Sequence, residues 1–362
     1  MISRFFEIIS MLFQGIIRCI KKVINEKGVD FMCFVYLTEP GMQLSKSGGT
    51  YTVCKEKKEV CRIPAETIEG IVLMGSVQIS SPAVADVLRR KIPVSWITAS
   101  GQYCGSFQPP SGHQALKQRQ QVLLQGTPFS LEMGKKFIEA KVHNQIALLQ
   151  RCNRTAKNKE VKEQIGYLKK LQKEIPSAED RDHLLGIEGI SAKAYFRTLG
   201  LMVRDDFAFS GRTKRPPTDS FNAMLSFGYT LLSHEIHTAI VTHGLQPYFG
   251  ILHELRNGHA ALVSDLLEEW RPVIVDSMVW SLVQHREIRP EHFEKRKGCK
   301  GVYLTKEGRD IFLRGYEKKM RTAHVVNGYS HTLRQCVIRQ SYHYSRAIMH
   351  QDASLYTAYT IR

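Results

Sequence analysis

One histidine and two acidic residues lie close together in the second half of the chain. In the stretch YFGILHELRNGHAALVSDLLEEWR, His253 precedes a break at Asn257–Gly258, and Asp265 and Glu268 follow on a predicted helix. Residues three apart on a helix share a face, so both carboxylates can point to one place. An imidazole with oxygen ligands suits Mg²⁺ or Mn²⁺ better than zinc. The same pattern also fits a helix whose acids are solvated and favoured by the helix dipole.

The charge of the chain indicates a polyanionic partner. The 362 residues include 51 Lys and Arg against 34 Asp and Glu, a formal net charge of +17. Such an excess is large for an enzyme of small molecules, and it favours a nucleic acid whose phosphates supply the opposite charge. An acidic membrane surface is the competing partner.

The cysteines do not predict a zinc site or a disulfide framework. No two of the eight form a C-x-x-C pair, and their spacing is irregular. We interpret them as reduced thiols of a cytoplasmic protein that mostly contribute to packing. They are Cys19, Cys33, Cys54, Cys61, Cys104, Cys152, Cys299 and Cys336.

Residues 1–31 form an apolar and basic extension of unknown role. Glu7 and Arg18 interrupt its apolar run, which is too short to span a bilayer. Its basic cluster follows the apolar run, the wrong order for a signal peptide. Three interpretations stay open: an amphipathic helix for a partner or membrane surface, an extra helix on the core, or translation from a start codon upstream of Met32.

Residues 32–110 have the pattern of short strands. CFVYLTEPG predicts a strand that ends in a turn, and MQLSKSGGTYTVCKEKKEVCRIP predicts two hairpins, around Gly48–Gly49 and around residues 55–58. IEGIVLMGSVQIS predicts two strands around a glycine turn. The following stretch predicts one helix, capped by Ser81, and another strand. We expect a small domain like a β-sandwich.

Residues 111–362 have helical periodicity after a Pro-Pro-Ser-Gly linker. Apolar residues recur at spacings of three and four through most of this region, and Pro272 begins a new helical segment or kinks the preceding one. The expected fold class is therefore α+β and multidomain, with a β-sandwich-like first domain and a larger all-α second domain.

Three stretches together go beyond such patterns. They are RIPAETIEGIVLMGSVQISSPAVADVLRRKIPVSWITASGQYCGSF, GIEGISAKAYFRTLG, and RTKRPPTDSFNAMLSFGYTLL followed by GLQPYFGILHELRNGHAALVSDLLEEWRP. In that order the chain, from about Met32 onward, resembles the CRISPR-associated integrase family, the DNA endonuclease subunit of spacer acquisition.

The resemblance implies a set of metal-binding residues. Glu188, His253 and Glu268 fall on the positions that bind Mg²⁺ or Mn²⁺ in the family, and Asp265 falls on an accompanying acid that assists from behind the ligands. Without the resemblance, Glu188 reads as a solvated acid at a helix start near Gly186 and Gly189. A carboxylate-bound ion can serve both DNA hydrolysis and the joining of a DNA 3′-hydroxyl to a phosphate.

Further residues have two interpretations each. The basic run of Arg212, Lys214 and Arg215 is either a solvated loop or a DNA-phosphate clamp, and the resemblance and the charge favour the clamp. Tyr195 and Tyr229 are expected to pack in the core rather than contact DNA, and Asn222 to brace the first turn of a helix. The cations of predicted helices either line a DNA path or only solvate the surface; they are Lys135, Lys136, Lys141, Arg151 and Arg154.

The resemblance also implies how the protein works. It predicts a cytoplasmic enzyme, not bound to a membrane, that joins 3′-hydroxyl ends of double-stranded DNA fragments to the CRISPR repeat. A homodimer would pair through residues 32–110 and assemble with a small ferredoxin-like partner. A stand-alone nuclease for branched DNA is the alternative from the same metal site, and a non-enzymatic DNA scaffold is a third hypothesis that the intact site disfavours.

Overall fold

The computed structural model describes residues 18–19, 33–98, 102–107, 114–207, 209–213, 216–295, 298–326 and 329–361. The chain divides into two compact units between residues 111 and 112. Apart from Arg18 and Cys19, the N-terminal extension lies outside the described residues, and so do the three interpretations of it.

Two sheets build the first unit. The five-stranded sheet has the order β1-β2-β6-β8-β9, in which β2, β6 and β8 run parallel, and the four-stranded sheet has the order β5-β4-β3-β7. The strands are β1 (Arg18–Cys19), β2 (Cys33–Leu37), β3 (Met42–Ser47), β4 (Thr50–Lys55), β5 (Lys58–Pro64), β6 (Ile68–Met74), β7 (Gln78–Ile79), β8 (Val94–Ile97) and β9 (Tyr103–Phe107).

Both predicted hairpins are present. β3 pairs with β4 across Gly48–Gly49, and β4 pairs with β5 across Glu56 and Lys57. Gly48 has a φ of 57°, which glycine adopts without strain, whereas Glu56 and Lys57 adopt φ values of 51° and 65° in the second turn. β6 and β7, the two strands predicted around Gly75, are both present and belong to different sheets.

The two sheets share one hydrophobic core, which includes Val35 and Leu73 from one sheet and Leu44 and Val53 from the other. Helix α1 (Ser81–Arg89) adds Val87 to this core. The parallel pairs distinguish the unit from a purely antiparallel sandwich, because the chain crosses from β6 to β8 through α1.

The cap of α1 is one residue earlier than predicted. The hydroxyl of Ser80, not that of Ser81, accepts a hydrogen bond from the backbone N–H of Ala83 at 3.4 Å. Pro82 then stands within the first turn, where a missing N–H costs nothing.

The second unit is mainly helical. Its central helix α3 packs against α4, α5 and α7. The helices are α2 (Ala115–Leu123), α3 (Pro128–Ala156), α4 (Lys159–Glu174), α5 (Arg181–Gly200), α6 (Ser220–Thr242), α7 (Ala261–Trp270), α8 (Ser277–Gln284), α9 (Lys306–Met320) and α10 (Leu333–His350).

The expectation of an all-α second domain is wrong. Two antiparallel hairpins interrupt the helices: β10 (Phe293–Lys295) with β11 (Val302–Leu304), and β12 (Ala323–Val326) with β13 (Tyr329–Thr332). Each strand has only three or four residues, too few to give a period-two signal between helical segments.

Two aspartates and a proline fix the helices that carry the candidate site. The carboxylates of Asp180 and Asp219 each accept a backbone N–H at 2.7 Å and begin α5 and α6. Pro272 was predicted to interrupt its helix, and one turn of π-helix, Arg271–Asp276, indeed separates α7 from α8. In the described part of the chain, no helix is both long and apolar enough to cross a membrane.

Candidate functional site

Asp265 is a buried carboxylate that organises the loop before α7. Its side chain accepts hydrogen bonds from the backbone N–H groups of Ile251 at 2.6 Å, Leu252 at 3.1 Å and His253 at 2.8 Å. The loop can approach this closely because residue 250 is glycine. A Cβ there would lie 2.7 Å from Oδ2 of Asp265 and equally close to Ala261. The carboxylate therefore sets the path of the backbone that carries the histidine.

Asp265 also orients the ring of His253. Its Oδ1 lies 2.8 Å from Nδ1 of that imidazole. With Nδ1 occupied, Nε2 is the nitrogen left for another ligand, and it lies 3.8 Å from Oε1 of Glu268. A carboxylate behind a histidine in this way fixes the tautomer and the ring position of metal-binding histidines.

Lys141 connects the two glutamates. Its ammonium contacts the carboxylate of Glu188 on α5 and lies 2.5 Å from Oε2 of Glu268 on α7. The side chain of Lys141 is only 5% exposed, that of Glu268 4%, and that of Glu188 24%. A single buried cation thus holds together two carboxylates from different helices.

A second cation stands on the other side of Glu268. Nη1 of Arg271 lies 3.3 Å from Oε1 of Glu268, and its guanidinium stacks 5.1 Å from the ring centre of Tyr229. Burial raises the pKa of Glu268, but Arg271, Lys141 and His253 outweigh burial and lower it to about 2. Burial lowers the pKa of Lys141, and Glu268 and Glu188 reverse that effect, so the pKa is raised and the ammonium stays charged.

The donors at this site suit a hard divalent cation. In the described ranges, no three His, Cys, Asp or Glu side chains form a ready-made ligand cluster. The ammonium of Lys141 instead lies between the two carboxylates, where a metal ion would carry the positive charge, and the imidazole of His253 lies beside one of them. Two carboxylates and one imidazole that already surround a positive charge fit Mg²⁺ or Mn²⁺ by chemistry.

The structure brings the four sequence-predicted residues into one cluster, with one difference in local structure. Glu188 lies well inside α5, which begins at Arg181. Gly186 and Gly189 are interior helix residues with open space beside them, not a break.

Sequence reasoning missed the role of Lys141, which it treated as a surface cation. The signal was its position. Lys141 shares its helix face with buried apolar residues such as Phe137, Ile138 and Leu148. A lysine on the apolar face of a helix needs a charged partner.

Tyr195 and Tyr229 pack in the interior, as predicted. Their hydroxyls donate to the two oxygens of the buried carboxylate of Asp276, at 2.7 Å and 2.5 Å. Burial raises the pKa of Asp276 to about 6, although both hydroxyls and the nearby Arg271 oppose the shift.

Asn222 braces the start of α6, also as predicted. Its amide accepts from the backbone of Thr213 and from the guanidinium of Arg212, and it donates to the carboxylate of Asp219. Arg212 donates as well to Ser226 at 3.0 Å, so part of its guanidinium serves the fold. Lys214 and Arg215, the other members of the basic run, lie outside the described residues.

On its opposite face, α7 holds the C-terminal segment. Glu269 accepts from the hydroxyl of Tyr356 at 2.8 Å, from the backbone N–H of Tyr359 at 2.9 Å and from the amide of Gln340. Burial raises the pKa of Glu269 to about 8, although the hydrogen bonds from Tyr356 and Tyr359 oppose the shift. This carboxyl belongs to the packing of the chain end and not to the site.

Comparisons with known proteins identify a family. The sequence model described as CRISPR associated protein Cas1 matches residues 35–318. The CRISPR-associated endonuclease Cas1 of Mycobacterium tuberculosis strain H37Rv is 34% identical over 302 residues, which cover 83% of this chain and 88% of that protein.

Solved structures give the same result at the level of the fold. TM1797, a Cas1 protein from Thermotoga maritima, superposes with a TM-score of 0.75 at 23% identity over 87% of this chain and 97% of that one. A chain of a Cas6-RT-Cas1–Cas2 complex superposes with a TM-score of 0.80 at 26% identity. The match covers 94% of this chain and 37% of that longer chain.

Proposed function

The chain belongs to the Cas1 family of CRISPR-associated proteins, and on that premise we propose that it is the integrase of CRISPR adaptation. It joins the 3′-hydroxyl ends of foreign DNA fragments to the CRISPR repeat, and its site also cleaves DNA. The observation that carries the proposal is the cluster of Glu188, His253 and Glu268 around a buried positive charge, with Asp265 behind the histidine.

Glu188, His253 and Glu268 would hold Mg²⁺ or Mn²⁺. When bound, such an ion neutralises the charge that develops on the scissile phosphate and makes the attacking oxygen a stronger nucleophile. The protein supplies the rest. Asp265 keeps Nε2 of His253 directed towards Glu268, and the cations around Glu268 keep its carboxylate ionised over the physiological pH range.

Arg271 supplies a positive charge beside these ligands. Its side chain is 22% exposed, and its Nη1 lies 3.3 Å from Oε1 of Glu268. A guanidinium held in place by a carboxylate and an aromatic ring is well suited to attract a phosphodiester.

DNA binding follows from the overall charge and from the basic run near α6. We assign Arg212, Lys214 and Arg215 to the neutralisation of DNA phosphates. Reversing the three charges should weaken DNA binding and lower the slope of log K against log salt by about one unit for each phosphate that the protein no longer neutralises. An unchanged slope would show that the run is a solvated loop.

The proposal includes two kinds of protein partner. Two copies pair through the β-rich first unit, and a small ferredoxin-like protein, Cas2 in the matched complex, joins them in the cytoplasm. Light scattering of the purified chain, alone and with that partner, tests both steps.

The decisive experiment is a strand-transfer assay with a fragment that has free 3′-hydroxyl ends and a DNA that contains the repeat. Transfer should need a divalent cation and should disappear in Glu188→Ala and in His253→Ala, while DNA binding persists. Cleavage of branched DNA without any strand transfer, with and without the partner, would indicate the stand-alone nuclease instead.

A further inference from the structure

A basic pocket lies in the second unit apart from the metal-site residues. Its volume is about 830 Å³, and α3, α9, α10 and residues 357–361 line it. Its described lining includes six basic side chains and no Asp or Glu: Arg151, Arg154, Lys319, His324, Arg339 and His343. None of these belongs to the cluster around Lys141.

The basic side chains form two levels. Arg151, Arg154 and Arg339 are exposed, whereas Lys319, His324 and His343 are half-buried. Deeper in, Nε2 of His324 is buried and has no hydrogen-bond partner within the described structure. A buried nitrogen without a partner is costly, so a ligand atom that accepts or donates there would be favoured.

The positive charges oppose one another. Burial, and then the charge of Arg151, lowers the pKa of Lys319 to about 8. Burial and Lys319 lower the pKa of His324, and burial with Arg339 lowers that of His343. Lys319 and the three arginines line one concavity with no Asp or Glu in its described lining, so a bound anion would reduce the repulsion among them.

The size and walls of the pocket indicate the kind of anion. The volume lies in the range of sites for small molecules and far exceeds that of a single ion. Tyr359 is half-buried, stacks on the fully buried ring of Trp270 with ring centres 4.5 Å apart, and contributes its own ring to the wall. A ligand with a phosphate and a planar ring matches both features.

We propose that this basic pocket binds the phosphate group of a nucleotide, with the base against the aromatic wall. The nucleotide is either free or part of a single DNA strand, since both present the same group. The pocket does not depend on the proposed integrase activity, because it shares no residue with the metal site.

Calorimetric titration of the full chain in EDTA, which keeps the metal site from contributing, tests this proposal. The probes are thymidine 5′-monophosphate, thymidine and 5′-phosphorylated pentathymidylate. The monophosphate should bind one to one, and thymidine should bind at least about tenfold more weakly, the effect of losing a charge-assisted hydrogen bond.

Matched variants show whether the monophosphate binds in this pocket. Arg151→Gln with Arg339→Gln should weaken binding of the monophosphate at least about tenfold. Lys170→Gln with Lys173→Gln removes the same charge from exposed positions on α4, and it should change nothing. Glu188→Gln should also leave binding intact. Since all four substituted cations are exposed, a thermal melt of each double variant verifies that it is folded.

The outcomes are distinct. Pentathymidylate that binds at least about tenfold more tightly than the monophosphate, and loses this advantage in the Arg151 and Arg339 double variant, identifies a DNA strand as the ligand, and equal affinity identifies a free nucleotide. Absence of binding, equal binding of thymidine, or equal weakening in the α4 variant would overturn the proposal. Tighter binding in Glu188→Gln would show that the phosphate goes to the metal site, because without a metal ion this change removes a carboxylate that repels it, and that result also overturns the proposal.

Discussion

Glu268 and Glu269 are neighbours on α7 and both are buried, yet their pKa values shift in opposite directions on the two faces of the helix. Three cationic or imidazole groups surround Glu268 and lower its pKa to about 2. Within the described part of the chain, the groups that donate hydrogen bonds to Glu269 are uncharged, and burial raises its pKa to about 8.

The contrast shows that burial does not decide the charge of a carboxyl group in this protein. The partners decide it, because a nearby cation offsets the desolvation of the carboxylate and neutral donors offset only part of it. The face with the ionised glutamate can attract a metal ion, and the face with the neutral one fastens the chain end.

The largest expected effect separates the two glutamates directly. Glu268→Gln should reduce cleavage and strand transfer by at least about 10²–10³-fold, as loss of a group that stabilises transition-state charge does. DNA binding should persist, because it depends on the basic side chains.

Glu269→Gln is the matched control on the same helix, and its activity should stay within a few-fold of wild type. Single-turnover cleavage with saturating Mn²⁺ measures both variants. Comparable losses in the two would mean that the faces of α7 are not functionally distinct.

The next effect concerns the cation that joins the ligands. Lys141→Met leaves the carboxylates of Glu188 and Glu268 close together without their shared partner, which should cost up to about 3–5 kcal/mol of unfolding free energy in EDTA. Mn²⁺ should restore more stability to this variant than it adds to wild type, because the ion replaces a missing charge.

Thermal melts with EDTA and with Mn²⁺, together with a titration of Mn²⁺ affinity, measure this effect. Lys135→Met, at a lysine that pairs with the exposed carboxylate of Glu132, is the control and should change little. A Lys141→Met variant as stable as wild type in EDTA would show that the carboxylates do not need this ammonium.

A smaller effect is expected behind the histidine. Asp265→Asn keeps the size of the side chain but cannot accept all four hydrogen bonds that the carboxylate accepts from residues 251–253. Activity and Mn²⁺ affinity should fall about 10–100-fold, the usual effect of losing a group that orients a metal ligand.

Residual activity in Asp265→Asn should therefore exceed that of Glu268→Gln, and a higher Mn²⁺ concentration should recover part of it. An equal reduction in both variants, without recovery, would place Asp265 among the ligands themselves.

Whether the sequence could predict a contact at this site depends on how far apart the two residues are along the chain. The spacing of Asp265 and Glu268 on one helix face, the two hairpins in the first unit and the interruption at Pro272 are local patterns, and the structure has them. The contact of Lys141 with Glu188 joins residues 47 positions apart, and no local period encodes it.

The different charge states of Glu268 and Glu269, one ionised and one neutral, had no signal in the sequence for a related reason. Two adjacent glutamates look alike until the fold places cations on one side and Tyr356 on the other. The short strands β10–β13 were missed because helical periodicity dominates the residues around them.

The smallest effect concerns a third buried carboxyl, that of Asp276, and tests whether its partners rather than its burial decide its charge. It accepts hydrogen bonds from the hydroxyls of Tyr195 and Tyr229, the charges of Arg271 and Arg212 act on it, and its pKa of about 6 lies between those of the two glutamates. Because the pKa is raised in the folded chain, this carboxyl favours folding most below its ordinary value of 3.8, and that advantage is lost as the pH rises through about 6.

Asp276→Asn cannot ionise, so its stability should decline less than that of wild type between pH 4 and 6, by up to about 1.4 kcal/mol for each pH unit. Melts of both proteins across this range, with the difference between them as the measured quantity, remove the contribution of other titrating groups. Parallel curves would mean that the two hydroxyls and the nearby arginines keep Asp276 ionised in the folded chain. Direct contact with a cation would then not be what separates an ionised buried carboxyl from a neutral one.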